Sequence, residues 1–267
     1  MLDLGIAGKT AIITGGSRGI GRACAIALAE QGVNVCLTAR RQNLLDETAQ
    51  EIRSATGVKV LTVSADMTST EDVQGMVAKT VSEFGGVDIL VNNAASFAYG
   101  NALELGFEHW IEHFEVKAFG YLRCMHEVYP LMQKNHWGRI INVAGGAARS
   151  GGGPSGANNA AIINMTKAFA LELAKDGITV NAIHPGGPAD SDREPARIEW
   201  QAQQQGISVE EATARAARNI PPIGRRVVTA DAANLALFLA SKQAEMITGE
   251  TLAIDAANGE FDRRVIY

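Results

Sequence analysis

A glycine-rich turn near the amino terminus separates a β-branched run from an alanine-rich helical stretch. The run covers residues 10–14, the turn residues 15–21 and the helical stretch residues 20–31. This succession predicts a strand, a loop and a helix. The alternation continues, with strands expected at 33–38, 58–64, 87–92, 139–143, 179–184 and near 251–254, and helices at 42–55, 71–84, 107–134, 157–174, within 194–219 and at 230–240. It predicts an α/β fold with a parallel sheet wrapped by helices.

Composition narrows the class of protein further. The 267 residues, of which 46% are hydrophobic and 20% charged, suit one globular domain spanning 1–267. A formal net charge of -5 does not attract polyanions, so we expect neither nucleic acid nor a membrane as partner. Three cysteines without a C-x-x-C spacing indicate buried thiols in a reducing compartment. Because the first residues lack a basic flank and a cleavage site, we predict a cytoplasmic protein.

The glycine-rich turn has the composition of a phosphate-binding loop. It reads Thr14-Gly15-Gly16-Ser17-Arg18-Gly19-Ile20-Gly21. Glycines allow a sharp turn and a close approach of the backbone to a ligand, while the free N–H groups and dipole of the following helix attract phosphate. An ordinary glycine turn is the alternative. The predicted strand before it and helix after it favour pyrophosphate binding.

Further motifs extend this pattern over nearly the whole chain. They are Asp66 after the third strand, Asn92-Asn93-Ala94-Ala95 after the fourth, 138–143 on the fifth, 180–186 on the sixth, and the closing segments 221–225 and 247–251 with Asp255. With the glycine loop, they resemble the short-chain dehydrogenase/reductase superfamily, most closely its bacterial 3-oxoacyl reductase-like branch. The resemblance implies a doubly wound Rossmann-type sheet of about seven strands, a nicotinamide cofactor and a dimer or tetramer.

The residues after the second strand discriminate between the two nicotinamide cofactors. An acidic residue about twenty positions past the glycines binds the ribose 2′-hydroxyl of NAD. Here that place reads Ala39-Arg40-Arg41, and guanidinium groups match a 2′-phosphate. Arg18 in the glycine loop could close from the other side. We therefore predict NADP(H) rather than NAD(H), with a solvated turn at Arg40 and Arg41 as the alternative.

The resemblance also assigns Asp66 to the adenine amino group and the backbone of residues 92–94 to the adenine ribose. The full set of predicted cofactor contacts is Gly15, Ser17, Arg18, Gly19, Ile20, Gly21, Arg40, Arg41, Asp66, Met67, Asn93, Ala94, Asn159, Pro185 and Gly186.

The catalytic positions depart from the family pattern. Its carbonyl reductases use a tyrosine as proton donor, a lysine four residues later, a serine ending the fifth strand and an asparagine in the fourth helix. Hydride addition to a carbonyl leaves an oxyanion, which needs a positioned acid and a nearby ammonium. Counting from the motifs, these positions fall on Ser155, Asn159, Ala144 and Lys117. A serine hydroxyl has too high a pKa to replace the phenol, so the standard mechanism does not carry over.

Four residues at the expected site are candidate catalytic groups: Lys117, Ser155, Asn159 and His184. Lys117 either returns a cation to the site or points to solvent beside Glu115. Asn159 can still hold the nicotinamide ribose through neutral hydrogen bonds. His184, at the end of the sixth strand, is either an acid or base near neutral pH or a structural histidine.

Several aromatic and histidine side chains near this site have two interpretations. Tyr99 and Tyr121 either present a phenol to the substrate or pack in the interior. His109 and His113 are one helical turn apart but have no third ligand in view. We expect both histidines at the surface and no metal site.

Two classes of function follow from these observations. The first is an NADP(H)-dependent oxidoreductase with a rearranged site, whose small-molecule substrate is a small or acyl-thioester-like carbonyl or an alkene. The second is a catalytically silent nucleotide-binding protein, either a redox sensor or the silent subunit of a hetero-oligomer with an active homologue. A glycine-rich loop at 145–156 and a mobile polar lid at 186–218 are expected to shape the substrate pocket. The small residues of the helix at 157–174 favour self-association into a homo-oligomer.

Overall fold

Seven parallel strands form a single sheet in the computed structural model, which describes residues 3–97, 100, 102–150 and 152–256. The strands are β1 (Thr10–Thr14), β2 (Asn34–Ala39), β3 (Val60–Ser64), β4 (Ile89–Asn92), β5 (Gly138–Val143), β6 (Ile178–His184) and β7 (Thr251–Ala253). Their order is β3-β2-β1-β4-β5-β6-β7, and each neighbouring pair is parallel. The predicted α/β class and doubly wound, single-domain sheet are confirmed.

Helices connect the strands in the described part of the chain. They are α1 (Gly19–Ala29), α2 (Gln42–Thr56), α3 (Thr70–Phe84), α4 (Phe107–Phe114), α5 (Gly120–Lys134), α6 (Ala147–Ser150), α7 (Gly153–Leu173), α8 (Glu194–Gln205), α9 (Val209–Arg218) and α10 (Thr229–Ala240). A π turn, Glu115–Phe119, joins α4 to α5. The helix predicted at 107–134 is therefore present, but it is interrupted.

Two apolar cores lie on opposite faces of the sheet, because successive residues of a strand point to opposite sides. Ile13 belongs to the core shared with α1, α2 and α10. Ile12 belongs to the core shared with α3, α5 and α7. Burying each such side chain stabilises the fold by about 1.5–3 kcal/mol. The sheet is therefore covered on both faces, and its ligand-binding edge is formed by the loops.

The chain reverses its direction of travel across the sheet at β1. From β1 it runs outward to β2 and β3, and it then returns to β4 on the other side of β1. The loops after β1 and β4 therefore separate, and open α/β sheets bind ligands in the crevice between them. Ala11 pairs with Ile89 and Ile13 with Val91, which brings the carboxyl ends of the two strands to the same level.

The segment 145–156, predicted as a loop, is partly helical. Helix α6 lies within it, and α7 begins at Gly153 rather than at residue 157. Pro154 stands in the first turn of α7, where its fixed φ suits a helix and its missing N–H costs no hydrogen bond. The prediction of a continuous loop is therefore wrong, since the glycines obscured a favourable helix start.

The segment 186–218, predicted to be a lid and called the lid below, contains two helices, α8 and α9, where one or two polar helices were predicted. They pack on each other through a small core of Ile198, Ala202 and Ala212. Glu194 accepts hydrogen bonds from Arg197, at 2.7 and 2.6 Å, and from Arg226. Burial alone would raise the pKa of Glu194, but the two guanidinium groups outweigh it and lower the pKa. These ion pairs fix the start of α8 to the segment before α10.

The three cysteines are free and buried, as predicted. Burial raises the pKa of Cys24 to about 12, of Cys36 to about 11 and of Cys124 to about 12. Their thiols are therefore unreactive at neutral pH. In the described residues, helices fall short of the length and apolar character that crossing a membrane requires.

Candidate functional site

Thr14 ties the carboxyl ends of β1 and β4 together at the crevice. Its hydroxyl oxygen accepts hydrogen bonds from the backbone N–H groups of Asn93, at 2.9 Å, and Ala94, at 3.0 Å. The carboxamide of Asn93 donates in return to the carbonyl oxygens of Thr14, at 3.0 Å, and Gly15, at 3.2 Å. These bonds hold the start of the glycine loop against the loop after β4. Asn93 was predicted as a cofactor contact, whereas the supporting role of Thr14 was missed.

The glycine loop leads directly into α1. Arg18 precedes the helix in an extended conformation, and its side chain does not cap the helix. The first N–H groups of α1 are therefore available to an anion. Gly21 lies behind the loop, because a Cβ atom there would overlap the carbonyl of Gly15. Gly21 allows the loop to close on the helix and does not itself line the cleft, in contrast to the predicted contact.

A cleft of about 820 Å³ runs along the carboxyl ends of the strands. Apart from Gly21, the predicted cofactor and catalytic residues line it: Gly15, Ser17, Arg18, Gly19, Ile20, Arg40, Arg41, Asp66, Met67, Asn93, Ala94, Lys117, Ser155, Asn159, His184, Pro185 and Gly186. Residues from separate parts of the sequence therefore meet in one cavity. Its size is within the range of small-molecule sites.

One end of the cleft is basic. Arg40 and Arg41 follow β2, are exposed and line the cleft, where they can meet a bound ligand as well as solvent. Arg18 lies 3.5 Å from the carboxylate of Asp192 in the lid. The hydroxyl of Thr38, also in the lining, is buried and has no hydrogen-bond partner among the described residues. This end can hold an anionic group, and an anion there would accept a hydrogen bond from the Thr38 hydroxyl.

The other end of the cleft contains a buried lysine. Lys117 is 5% exposed, and its Nζ donates to Oδ1 of Asn159 at 2.6 Å. Burial, followed by the charge of Arg193, lowers the pKa of Lys117 to about 7. Glu115 instead pairs with Arg123 at 2.7 Å. The interpretation in which Lys117 points to solvent beside Glu115 is therefore wrong.

The π turn between α4 and α5 carries Lys117 at its centre. A π turn widens the helix locally, and such turns are frequent at functional sites. Directly after it, a Cβ atom on Gly120 would lie 3.0 Å from Cβ of Met67. The missing side chain therefore lets α5 approach the loop after β3. Periodicity could not reveal this turn, because its sequence continues a helical pattern.

Asn159 reaches the cleft from α7. A Cβ atom on Gly145 would lie 2.6 Å from Nδ2 of Asn159, so the absence of a side chain at 145 makes room for the carboxamide. The neighbouring Asn158 donates to the carbonyl of His113 at 2.6 Å and docks α7 on α4. Ser155, one turn earlier, is half-buried in the cleft lining. The structure thus brings Lys117, Asn159 and Ser155 together.

Two histidines lie close to this end of the cleft. His184 is 2% exposed, and burial is the largest cause of its lowered pKa. His113 is 5% exposed, with Nδ1 at 3.2 Å from the hydroxyl of Ser96. Burial, then the charges of Lys117 and Arg193, lowers the pKa of His113 to about 4. The surface position predicted for His113 is wrong, because its helix turns this face toward α7.

Two of the remaining aromatic and histidine candidates, His109 and Tyr121, do not line the cleft. His109 is exposed, and no metal-binding group of three or more histidine, cysteine or acidic side chains occurs in the described ranges. Tyr121 packs in the interior and donates from its hydroxyl to the carbonyl of Val143 at 3.1 Å. Burial raises its pKa. Tyr99 lies outside the described residues.

Sequence reasoning missed two residues that enter the cleft, one from the lid and one from the loop after β4. Arg193 and Phe97 both line it, and the guanidinium carbon of Arg193 lies 3.2 Å from the centroid of the Phe97 ring. For Arg193 the signal available was a cluster of charged residues, 190–194, in the segment that follows the sixth strand. A charged run is common on surfaces, so the pattern alone did not distinguish it.

The chain matches the family model described as Enoyl-(Acyl carrier protein) reductase over residues 15–256. It is 33% identical over 250 residues to 3-oxoacyl-(acyl-carrier-protein) reductase FabG of Staphylococcus aureus (strain N315), with 92% of this chain and 96% of that protein covered. L-sorbose reductase from Gluconobacter frateurii, complexed with NADPH and L-sorbose, has a TM-score of 0.88 at 31% identity, over 96% and 98% of the two chains. A variant of actinorhodin polyketide ketoreductase with NADPH has a TM-score of 0.88 at 31% identity, over 95% and 97%.

Proposed function

Because this chain belongs to the short-chain dehydrogenase/reductase superfamily, we propose that it is an NADP(H)-dependent oxidoreductase with an atypical active site. One observation carries the proposal. A single cleft joins an anion-binding loop and two arginines at one end to a buried Lys117–Asn159 pair at the other. Such a cleft has the parts for a nucleotide and for a proton transfer beside it.

The residues at the basic end fit NADP(H). Arg40 and Arg41 suit a 2′-phosphate, the Thr38 hydroxyl is buried without a partner among the described residues, and the amides that begin α1 suit a pyrophosphate. L-sorbose reductase and the ketoreductase were each solved with NADPH, which supports the same choice. When bound, NADPH supplies the hydride.

We propose that Lys117 donates the proton in place of a tyrosine. Ser155 stands where the family pattern has that tyrosine, and its hydroxyl is too weak an acid for the task. The pKa of Lys117, lowered to about 7, is near the value at which a general acid works best at neutral pH. Asn159 accepts one N–H of the ammonium at 2.6 Å and so orients the remaining two. Asn159 is a positioning residue in this scheme.

We propose a homo-oligomer formed through the face that carries α4 and α7. These helices contact each other, and exposed apolar side chains lie along them and on the π turn that follows α4. They are Phe107, Ile111, Phe119 and Leu171, which are 73%, 48%, 44% and 75% exposed. Association of two such faces removes this apolar surface from water. Sedimentation of the Leu171→Asp protein tests this: we expect a shift toward monomer, and an unchanged distribution would contradict it.

The oxidoreductase proposal is tested by titrating the protein with NADPH and NADH while following NADPH oxidation on a panel of carbonyl compounds. We expect tighter binding of NADPH and turnover of at least one compound. Lys117→Met should lower kcat by about 10²- to 10⁴-fold while NADPH still binds, and the exposed Lys79→Met is the matched control. NADPH binding without turnover would instead support the silent-subunit or sensor function. Binding of neither nucleotide would contradict both.

A further inference from the structure

Lys117 is a buried amine at the wall of a cavity. It is 5% exposed and lines the cleft, and its Nζ lies 2.6 Å from Oδ1 of Asn159. The π turn between α4 and α5 holds it in this place. A small compound that enters the cleft can therefore reach Nζ.

The hydrogen-bond partner of Lys117 is an uncharged carboxamide, and Lys117 belongs to none of the ion pairs among the described residues. The acidic side chains of the cleft lining have other partners: Asp66 accepts from Thr68 at 2.9 Å, Asp192 lies 3.5 Å from Arg18, and Glu194 binds Arg197 and Arg226. Burial without an opposite charge penalises an ammonium more than a neutral amine. The surroundings of Lys117 therefore favour its uncharged form.

The pKa of Lys117 agrees with this environment. Burial, followed by the charge of Arg193, lowers the pKa to about 7, whereas an exposed lysine has a pKa of about 10.4. At pH 7 about half of the Lys117 side chains then carry a free lone pair, against roughly one in 2,500 exposed lysines. The other half are ammonium ions, which keep the proton-donor role proposed above.

The end of β5 makes the lining beside Lys117 apolar. A Cβ atom on Gly145 would lie 2.6 Å from Nδ2 of Asn159, so Gly145 lies directly against the carboxamide that binds Lys117. Val143 and Ala144, which precede it, also line the cleft. Such a wall is uncharged and suits a short aliphatic compound.

We propose that Lys117 is a nucleophile that binds small aliphatic aldehydes covalently, as an imine. This activity goes beyond the proposed oxidoreductase function and does not require NADPH. A desolvated lysine in an apolar pocket is an activated nucleophile, and such lysines form Schiff bases with carbonyl compounds. Asn159 is a positioning residue, because an amine that donates one N–H to Oδ1 has its lone pair in another direction.

The reaction is a condensation without oxidation or reduction. The lone pair of Nζ forms a bond to the carbonyl carbon, and the π electron pair of the C=O bond moves to oxygen. The oxygen takes the two protons of the amine and leaves as water, while the nitrogen forms the second bond of C=N. Hydrolysis of the imine reverses these steps and releases the aldehyde.

The test compares two lysines within the same protein molecule. The unmodified protein, without nucleotide, is treated at pH 7 with propanal and with enough cyanoborohydride that addition of the amine limits the rate. Reduction of the imine leaves a stable propyl group, and peptide mapping by mass spectrometry then gives its rate of appearance at Lys117 and at the exposed Lys79. Lys117→Met and, as the matched control, Lys79→Met are treated in the same way.

We expect Lys117 to be alkylated at least about 10-fold faster than Lys79. The advantage is smaller than the ratio of free amines, because a weaker base is a weaker nucleophile and burial slows access. Lys117→Met should lose the fast adduct, and Lys79→Met should keep it.

Alkylation of Lys117 no faster than that of Lys79 would overturn the inference, and so would a fast adduct that persists in Lys117→Met. If NADPH is oxidised on the carbonyl panel while Lys117 is not labelled preferentially, the inference fails and the oxidoreductase proposal stands. Fast labelling of Lys117 without any NADPH oxidation would support the aldehyde site and contradict the oxidoreductase proposal.

Discussion

The ionisation of Lys117 sets a pH dependence that differs between the two directions of the proposed reaction. Burial, followed by the charge of Arg193, lowers its pKa to about 7. Carbonyl reduction uses the ammonium form, so kcat should fall about 10-fold per pH unit above this pKa. Oxidation of the matching alcohol needs the neutral amine, so its rate should rise toward the same pKa and then level off.

Initial rates in both directions over roughly pH 5.5 to 9.5 measure this dependence. The Lys79→Met protein, altered at an exposed lysine of α3, should keep both profiles. Profiles that run parallel in the two directions would show that another group transfers the proton.

A second residue-scale prediction concerns the choice of cofactor. A hydrogen-bonded charge pair contributes about 1.5–3 kcal/mol, so Arg40→Ala should weaken NADPH binding by about 10- to 100-fold. NADH lacks the 2′-phosphate, so its affinity should be unchanged. Calorimetric titration measures both, with Arg218→Ala as the control. If the affinities for NADPH and NADH fall equally, Arg40 contacts a group that the two nucleotides have in common.

At the scale of elements, the contact between the glycine loop and α1 depends on Gly21. A methyl group there would overlap the Gly15 carbonyl, so Gly21→Ala should lower the free energy of unfolding by about 1–3 kcal/mol and weaken NADPH binding. Gly75 in the interior of α3 is the matched control, because nothing lies within 4 Å of a Cβ atom there. Gly75→Ala should raise stability by about 0.5–1 kcal/mol.

Thermal unfolding and NADPH titration of both variants measure these effects. A Gly21→Ala protein as stable and as tightly bound to NADPH as the parent would mean that the loop can move away without loss.

The elements also show what sequence patterns could and could not predict. The predicted bounds of β5 differ from the observed bounds by one residue. They could be predicted because a polar turn precedes the buried run and glycines follow it. The π turn was not predicted, since a helix with one extra residue has almost the same apolar spacing. The burial of His113 was missed for a different reason, because the direction of its side chain depends on how α4 packs on α7. Arg193 and Phe97 meet only after the lid has folded back over the cleft, a long-range contact that local patterns do not encode.

At the scale of the whole molecule, the cleft links both halves of the sheet to the lid. Arg18 of the glycine loop lies 3.5 Å from Asp192 of the lid, and residues of both segments face the same cavity. NADPH at 100 times its Kd should add about 2.7 kcal/mol to the free energy of unfolding. For a chain of this size we expect the Tm to rise by roughly 5–10 °C.

Differential scanning calorimetry over a series of NADPH concentrations measures this stabilisation. The rise should grow with the logarithm of concentration and should be smaller for NADH at equal concentration. If calorimetric titration detects NADPH binding but the Tm does not change with NADPH concentration, the nucleotide also binds the unfolded chain.

The π turn at Glu115–Phe119 has a consequence for how such an active site can arise or disappear during evolution. One surplus residue distinguishes a π turn from the regular helix around it. Because the turn absorbs its surplus residue locally, deleting a single codon there would restore regular winding and change the directions of the side chains within the turn. Lys117 would then lose its present direction into the cleft, while the glycine loop and Arg40 stayed in place. A change in gene length by one codon can therefore displace the proposed proton donor and leave a nucleotide-binding protein behind.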